Sequence, residues 1–228
     1  MLPPKAGGIA KIRRPNRLQS NRRRGWQELI RAGRHVCYTR WQDARASAAK
    51  IVKTITVYGS SQVDSNQAVY QDAVEIGRAL AQAGWAVMSG GYFGVMEAVS
   101  KGAKMAGGHV IGVTTDQIGL QFNVQPNRYL DETVNYADLR DRLLHMVEHA
   151  DGYLAMPGGI GTLHEIAETW ELMRIGGVPR RPFVCYGSMW AEVIAIMEGS
   201  PYLGDGYHGM ITIAQDAQRV LQAFSSPS

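Results

Sequence analysis

The sequence predicts an α/β fold: a single Rossmann-like domain with a mainly parallel β-sheet flanked by helices. From residue 51 onward, short apolar and β-branched segments alternate with segments whose apolar residues recur at helical spacing. This alternation of strand and helix is typical of a right-handed parallel sheet. Two glycine-rich turns, at Gly90 and Gly158, stand between a strand and a helix. The 228 residues suffice for one such domain and are too few for two.

The first half of the domain is predicted to contain three strands separated by two helices. The strands are residues 51–58, 85–88 and 109–114. Apolar residues at helical spacing indicate helices over residues 66–83 and 95–106. Gly84 follows the first helix and Gly107 the second, in the position where glycine commonly ends a helix.

The loop after the first strand is a candidate ligand site. The strand ends at Gly59, which is followed by Ser60 and Ser61 and then by a helix. In an open α/β sheet, ligands bind at the loops that follow the carboxyl ends of the strands. Ser60 is therefore predicted to contact a ligand.

Beyond residue 114 the pattern predicts a loop, then four more strands and four more helices. Residues 115–125 are expected to form the loop. The strands are residues 128–134, 152–156, 182–186 and 210–214. The helices are residues 136–149, 163–173, 190–197 and 216–224.

The first 50 residues differ from the rest in charge. They hold 13 Lys and Arg against 2 Asp and Glu, a net charge of +11, whereas residues 51–228 have a net charge of −7. Proline and glycine among the charges of residues 1–24 favour a disordered extension, with a short helix over residues 26–49 as a weaker expectation. The alternative is a tail that binds nucleic acid or another polyanion.

Composition argues against a membrane or secreted protein. No apolar run reaches the length of a membrane helix, and the basic start lacks the apolar segment of a secretory signal. Cys37 and Cys185 have no metal-ligand spacing and are not expected to form a disulfide. We therefore expect a cytoplasmic protein without a metal site.

Residues 156–165 carry the strongest functional signal. Three glycines, Gly158, Gly159 and Gly161, lie between an apolar strand and a helix, and Thr162 follows them. Glycine lets a ligand approach the backbone closely, and the N–H groups of a first helical turn attract anions. The stretch therefore predicts an anion site, most plausibly for a phosphate.

Glu165 is expected in the first turn of the helix that follows these glycines. A carboxylate beside a phosphate site is well placed for chemistry on the attached sugar. The alternative is that Glu165 only caps the helix or complements its dipole. The order Pro-Gly-Gly-x-Gly-Thr-x-x-Glu fits neither the Walker A nor the dinucleotide-binding pattern.

This order, at residues 157–165, resembles the signature of the LOG ("lonely guy") family of cytokinin-activating phosphoribohydrolases. The resemblance covers residues 53–187. It implies hydrolysis of the N-glycosidic bond of an adenosine 5′-monophosphate, with or without an N6 substituent, to free base and ribose 5-phosphate. It also implies a homodimer, no cofactor and a link to cytokinin biosynthesis.

A second segment that carries the resemblance is the glycine-rich turn at residues 89–97. It corresponds to the family's Gly-Gly-Gly-x-x-Gly-Leu-Met-Gly loop. The matching residues are Gly90, Gly91, Gly94 and Met96, and the departing residues are Ser89, Val95 and Glu97. Glu97 replaces a glycine, which adds bulk and charge near the expected ligand and bears on the identity of the substrate.

A third segment, residues 139–143, corresponds to the family's Met-x-x-Arg-Lys. Arg142 matches the functional arginine, whereas Leu139 and Leu143 replace the methionine and the lysine, and the missing lysine is expected to weaken substrate contacts. Arg140 lies about 200° away around the helix, so the two arginines cannot both face the site. The alternative for Arg142 is a surface arginine paired with a neighbouring aspartate.

The resemblance implies a role for each matched residue. Glu165 would lie beneath the anomeric carbon, Arg142 would orient or stabilise the reacting groups, and the backbone of residues 158–162 would hold the 5′-phosphate. The predicted binding residues are Ser60, Gly90, Gly91, Met96, Gly158, Gly159, Gly161 and Thr162. A nucleotide-binding or sensing protein of the same fold, without catalysis, remains the alternative because the departures at Glu97, Leu139 and Leu143 change the matched loops.

Overall fold

A seven-stranded sheet forms the centre of the computed structural model, which describes residues 52–225. The strands are β1 (Thr54–Tyr58), β2 (Ala86–Ser89), β3 (Val110–Thr115), β4 (Glu132–Tyr136), β5 (Gly152–Ala155), β6 (Phe183–Tyr186) and β7 (Ile211–Ala214). All neighbouring strands are parallel, in the order β4-β3-β2-β1-β5-β6-β7. The predicted Rossmann-like α/β fold with a parallel sheet is therefore confirmed.

Helices cover both faces of this sheet. In the described part of the chain they are α1 (Ala68–Gln82), α2 (Val95–Met105), α3 (Asp116–Phe122), α4 (Leu139–Glu148), α5 (Ile160–Arg174), α6 (Ser188–Glu198) and α7 (Ala217–Ser225). One apolar core contains residues of α1, α2 and α7, and a second contains residues of α4, α5 and α6. A ligand at the carboxyl ends of the strands can thus be contacted by helices of both layers.

Burial explains why the strands were recognisable. Every residue of β1, β2, β3, β5 and β6 is buried. Strands covered on both faces form continuous apolar or β-branched runs, whereas half-exposed strands alternate. The two edge strands, β4 and β7, contain exposed residues.

The side of β1 on which successive strands are placed changes between β4 and β5. β2, β3 and β4 are added on one side of β1, and β5, β6 and β7 then follow on the other side. β1 and β5 are hydrogen-bonded neighbours. In open α/β sheets, the crevice at the carboxyl ends of such a strand pair is the usual ligand site. The loops that follow β1 and β5 are therefore the expected position of a ligand site.

Two expectations about the third quarter of the chain were wrong. Residues 115–125 were expected to be a loop but contain α3, whose N-cap Thr115 accepts a hydrogen bond from the Gln117 N–H. None of the residues of α3 is buried, so the sequence has no apolar periodicity there to reveal the helix. The strand expected at residues 128–134 is β4, which begins and ends later.

The boundary between β4 and α4 also lies later than expected. Tyr136 was placed in the helix, but it is the last residue of β4. Asp138 is the N-cap of α4, and its side chain accepts hydrogen bonds from the Arg140 and Asp141 N–H groups. Aspartate is a favoured N-cap, so the helix begins at Leu139.

The predictions for the first 50 residues concern a basic, disordered extension and a short helix at residues 26–49. Both lie outside the described residues. Between residues 52 and 225, no helix has the length and apolar character needed to cross a membrane.

Candidate active site

The loops after β1 and β5 are joined through the backbone of Ser60. The Ser60 N–H donates to the Pro157 carbonyl oxygen at 3.1 Å, and the Ser60 carbonyl accepts from the Val95 N–H at 2.9 Å. Gly158 lies against this junction, because a Cβ on it would be 2.2 Å from Thr162 Oγ1 and 3.1 Å from Ser60 N. The structure thus brings together three of the predicted binding residues: Ser60, Gly158 and Thr162.

The N-terminus of α5 opens onto this junction. Gly159 is the N-cap, and no described side chain forms a capping hydrogen bond there. Apart from chain neighbours and the adjoining helix backbone, no atom of the described residues lies within 4 Å of the position that a Cβ would take on Gly159 or Gly161. N-terminal N–H groups with open space around them form a suitable site for a phosphate.

The expectation that Glu165 lies in the first turn of this helix was wrong. α5 begins at Ile160, and its first turn contains no acidic residue. Gly161 is already helical, so Glu165 is the sixth residue of the helix and lies in its second turn. The interpretation of Glu165 as a cap therefore loses its geometric basis.

Burial has a large effect on the Glu165 carboxyl. It raises the pKa from the ordinary value of 4.5 to about 7, and the positive charge of Arg142 opposes this rise. Glu165 nevertheless keeps some solvent exposure. A carboxyl group that is crowded by protein and still accessible is a common feature of catalytic sites.

Arg142 is a buried cation on the neighbouring helix α4. Its Nε donates to the Val113 carbonyl at 2.7 Å, and its Cζ lies 5.9 Å from the centre of the Tyr92 ring. Burial lowers the pKa of Arg142, and the charge of Glu165 opposes that change. The alternative of a surface arginine paired with an aspartate is wrong, whereas Arg140 is exposed.

Glycine is required at Gly90 because of this arginine. A Cβ on Gly90 would lie 1.8 Å from Arg142 Nη2 and 2.7 Å from Met96 Sδ. Gly91, the next residue, has a φ of +77°, a conformation that other residues rarely adopt. The predicted residues Gly90 and Met96 therefore lie beside Arg142, and Gly91 lies against Gly112 and Thr114.

Tyr58 was not predicted, although the charges of both Glu165 and Arg142 act on it. It is the last residue of β1, and its Oη lies 3.0 Å from Thr169 Oγ1. The Thr169 hydroxyl donates to the Glu165 carbonyl oxygen at 2.7 Å. Burial raises the pKa of Tyr58, and the charges of Glu165 and Arg142 also act on it. The position at the carboxyl end of β1 was the available signal.

Tyr92 and Asn127 were also missed, and they hold the glycine-rich loop after β2. The Asn127 backbone N–H donates to the Gly91 carbonyl at 2.8 Å, and the Asn127 side-chain Nδ2 donates to the Tyr92 carbonyl at 3.1 Å. The Tyr92 hydroxyl donates to the Thr115 carbonyl at 3.0 Å. Asn127 lies in a segment without periodicity, so no sequence signal pointed to it.

The arrangement combines three chemical properties at the carboxyl ends of the strands. It offers backbone N–H groups for an anion, a carboxyl group with a raised pKa and a buried arginine whose charge acts on that carboxyl. The ion pairs formed within residues 52–225 do not include Arg142 with Glu165. Their charges act on each other, but no ion pair within this range ties the two groups together.

Comparison with known proteins identifies the family of the chain. The model of the SLOG cluster4 family matches residues 52–180. A cytokinin riboside 5′-monophosphate phosphoribohydrolase of Arabidopsis thaliana is 36% identical over 129 residues, which are 53% of this chain and 56% of that protein. A protein of the same name from Mycobacterium tuberculosis is 30% identical over 118 residues, 51% of this chain and 62% of that protein. This chain thus spans little more than half the length of the curated relatives it matches.

Solved structures share the fold. A molybdenum cofactor binding protein from Rippkaea orientalis superposes with a TM-score of 0.60 at 22% identity, covering 77% of this chain and 96% of that one. A structure from a structural genomics consortium superposes with a TM-score of 0.59 at 28% identity, covering 75% of this chain and 97% of that one. The predicted resemblance to LOG proteins is confirmed by the family match and the curated relatives.

Proposed function

We propose, from the premise that this chain belongs to the SLOG cluster4 family, that it hydrolyses the N-glycosidic bond of a nucleoside 5′-monophosphate. The products are the free base and ribose 5-phosphate. The observation that carries the proposal is the Glu165 carboxyl, which has a pKa of about 7 and lies near Arg142 and the phosphate-binding end of α5. The names of the curated relatives make adenosine 5′-monophosphates, with and without N6 substituents, the first substrates to test.

The phosphate binds first in this mechanism. The N–H groups at the start of α5 hold the 5′-phosphate, because they point out of the helix at its positive dipole end. Gly159 and Gly161 leave the space that the phosphate oxygens occupy. Ser60 and Thr162 lie beside this space and contact the same group.

Glu165 then supports the breaking of the bond between C1′ and the base. The electron pair of that bond leaves with the base, and positive charge develops on the sugar as in other glycoside cleavages. The ionised carboxylate beneath the sugar stabilises this charge. A water molecule adds its oxygen to C1′ and gives one proton to Glu165, while the departing base takes up a proton from solvent.

Arg142 positions the reacting groups. Its guanidinium is fixed by the hydrogen bond to Val113 and by the packing against Gly90. A fixed planar fork of donors suits the ribose hydroxyls or phosphate oxygens better than a flexible ammonium does. Its charge also favours the ionised form of Glu165.

The test is release of free base from a panel of nucleoside 5′-monophosphates, followed by chromatography. Glu165→Gln should abolish release, with a loss of at least about 1,000-fold, while nucleotide binding measured by calorimetry persists. Glu168→Gln is the matched control, since Glu168 lies on the same helix one turn later and is also partly buried. Binding without release in the wild type would favour the alternative of a nucleotide-binding or sensing protein.

Assembly and location complete the proposal. We place the protein in the cytoplasm, where nucleotides are available and cysteines such as the buried Cys185 stay reduced.

Homodimer formation is supported by large apolar side chains that α5 and α6 expose, among them Ile160 at 82% and Ile196 at 73%. Light scattering would measure the mass. A role in cytokinin biosynthesis requires that N6-substituted adenosine monophosphates are the preferred substrates.

A further inference from the structure

Two buried hydroxyl groups connect the end of β1 to the turn of α5 that starts at Glu165, and the mechanism proposed above uses neither. They belong to Tyr58, the last residue of β1, and to Thr169, and neither residue exposes more than 1% of its surface. The Tyr58 Oη lies 3.0 Å from Thr169 Oγ1, across a sequence separation of 111 residues. Phenylalanine and valine would fill nearly the same space without needing a hydrogen-bond partner, so the pair points to a role beyond packing.

The direction of the hydrogen bonds in this chain of groups is fixed by its last acceptor. The Glu165 carbonyl oxygen can only accept, so the Thr169 hydroxyl donates its single proton to it, at 2.7 Å. The Tyr58 hydroxyl must then be the donor to Thr169 Oγ1. Burial raises the pKa of Tyr58, so the phenol keeps its proton and remains a donor at neutral pH. The hydrogen bonds therefore run from Tyr58 through Thr169 to the backbone of Glu165.

These hydrogen bonds end at the residue whose side chain is proposed to act on the sugar. Glu165 and Thr169 are four residues apart on α5, so their side chains lie on the same face of the helix, one turn from each other. The charges of Glu165 and Arg142 both act on the Tyr58 phenol. The phenol therefore shares its electrostatic environment with the two charged groups of the candidate site.

Glu165 and Arg142 are fixed to different strands of the sheet. The Arg142 guanidinium donates to the Val113 carbonyl of β3, whereas the two hydroxyl groups tie the Glu165 backbone to β1. β2 lies between these two strands. The distance between the carboxyl and the guanidinium therefore depends on both attachments. A displacement of about 1 Å between reacting groups can lower a rate about 100-fold.

We propose that Tyr58 is a positioning residue, which holds Glu165 at its working distance from Arg142 through the hydroxyl of Thr169. The inference rests on the proposed function and adds to it a residue that acts through another. Loss of either hydroxyl lets α5 shift at Glu165 relative to β1, so the carboxyl is held less firmly near Arg142. Within the described chain, Arg142 is the charged group that opposes the rise of the Glu165 pKa. This pKa should therefore rise further when the hydrogen bonds are broken.

Tyr58→Phe removes the hydroxyl and keeps the ring. We expect kcat for base release from AMP to fall about 10–100-fold, because the carboxyl is displaced. The Kd of AMP should change less than about twofold, because the phosphate contacts at the start of α5 are retained. The midpoint of the pH profile should move upward by about half a pH unit or more.

Tyr153→Phe is the matched control. Tyr153 is a buried tyrosine of the same apolar core, and its hydroxyl donates to the Val147 carbonyl at 2.7 Å. Both variants lose a buried hydroxyl, so both should lower the Tm. Tyr153→Phe should leave kcat and the pH midpoint unchanged, whereas equal losses of kcat in the two variants would reduce Tyr58 to a contribution to stability and overturn the proposal.

Thr169 provides an independent test of the same hydrogen bonds. Thr169→Val removes the hydroxyl at nearly constant volume and should reproduce both effects of Tyr58→Phe, whereas Thr169→Ser keeps a hydroxyl and should retain most of the activity. The double variant Tyr58→Phe, Thr169→Val should lose no more activity than either single variant, since all three break one connection. Losses that multiply in the double variant, or full activity in Thr169→Val, would overturn the proposal.

A direct titration of Glu165 separates this inference from the proposed function. NMR of protein with carbon-labelled glutamate measures the pKa of the Glu165 carboxyl in the wild type, Tyr58→Phe and Tyr153→Phe, and Glu165→Gln assigns the signal. If no nucleotide is hydrolysed and the pKa rises in Tyr58→Phe alone, the proposed function fails and the positioning of Glu165 stands. If the wild type releases base and Tyr58→Phe changes neither kcat nor this pKa, hydrolysis stands and the positioning role is wrong.

Discussion

Glu165 lies where burial makes its ionised form costly, and Arg142 offsets only part of that cost. The folded protein therefore binds a proton at this group over a pH range in which the unfolded chain does not. The range runs from the ordinary pKa of 4.5 to the raised value of about 7. Across it the contribution of this group to the free energy of unfolding falls as the pH rises. Positive charge that develops on a bound sugar would stabilise the ionised form of Glu165, which the free protein stabilises poorly.

The pH dependence of base release follows from this pKa. If the ionised carboxylate is the active form, kcat/KM should be constant above a pH of about 7 and fall about tenfold for each pH unit below it. Initial rates between pH 5 and pH 9 measure this profile. Glu168→Gln should keep the same profile. A flat profile from pH 5 to pH 8 would contradict the role of Glu165.

At the level of single residues, the sequence identified those that a motif marks. Glu165, Arg142 and the glycines of the two turns lie together at one edge of the sheet, although their roles remain predictions. Tyr58 and Asn127 could not be found in this way, because their position depends on contacts that form only in the folded chain. A tyrosine at the end of a strand is in most proteins an ordinary core residue.

Among the elements, the N-terminus of α5 allows a test of the phosphate site. Gly161→Ala should stabilise the helix by about 0.5–1 kcal/mol, because glycine is a poor helix former. Apart from its chain neighbours and the backbone of its own helix, no atom of residues 52–225 lies within 4 Å of the added methyl, so a clash is expected only with a bound ligand. We therefore expect a slightly higher Tm together with a Kd for the nucleotide at least about tenfold weaker.

Gly204→Ala is the control for this variant. Gly204, in the segment before β7, likewise has no described atom other than its chain neighbours within 4 Å of the Cβ position. Thermal unfolding and calorimetry on both variants separate the two effects. Unchanged nucleotide affinity in Gly161→Ala would place the phosphate elsewhere.

The register of α4 distinguishes its two arginines. Arg142 is buried and bonded to Val113, whereas Arg140 is exposed. Arg142→Ala should lower kcat by about 100-fold or more, the usual effect of losing a fixed donor in a site. Arg140→Ala should change kcat by less than about twofold, since a solvated surface charge contributes little.

Arg142→Lys separates catalysis from folding. It keeps the positive charge and loses the planar fork, so activity should remain low while the Tm stays closer to that of the wild type. Circular dichroism and Tm on all three variants establish whether they fold. Full activity of Arg142→Lys would show that this position needs only a positive charge and not a guanidinium.

Elements were predicted well where burial left a pattern. The fully buried strands and the amphipathic helices match the expected segments within a few residues, because periodicity reports burial directly. α3 has no buried residue and left no pattern. The start of α5 was misplaced because its first turn contains Gly161, a residue that the sequence indicated as loop.

At the scale of the whole molecule, the described residues 52–225 contain a seven-stranded sheet and two apolar cores. The candidate site draws on both helical layers, with Glu165 on α5 and Met96 on α2. Each layer therefore contributes at least one residue to the candidate site. This arrangement makes the described residues sufficient, in our proposal, for both binding and hydrolysis.

Deleting residues 1–50 should leave a folded, active domain. The family match begins at residue 52, and the seven strands of the described part of the chain lie beyond that point. The deletion changes the net charge from +4 to −7, so retention on a heparin column should be lost even if the unmodified chain is retained. The Tm, kcat/KM and salt-dependent retention of the two chains measure these effects. Loss of the cooperative unfolding transition would show that residues 1–50 stabilise the domain, and loss of activity with an unchanged Tm would show that they contribute to the site.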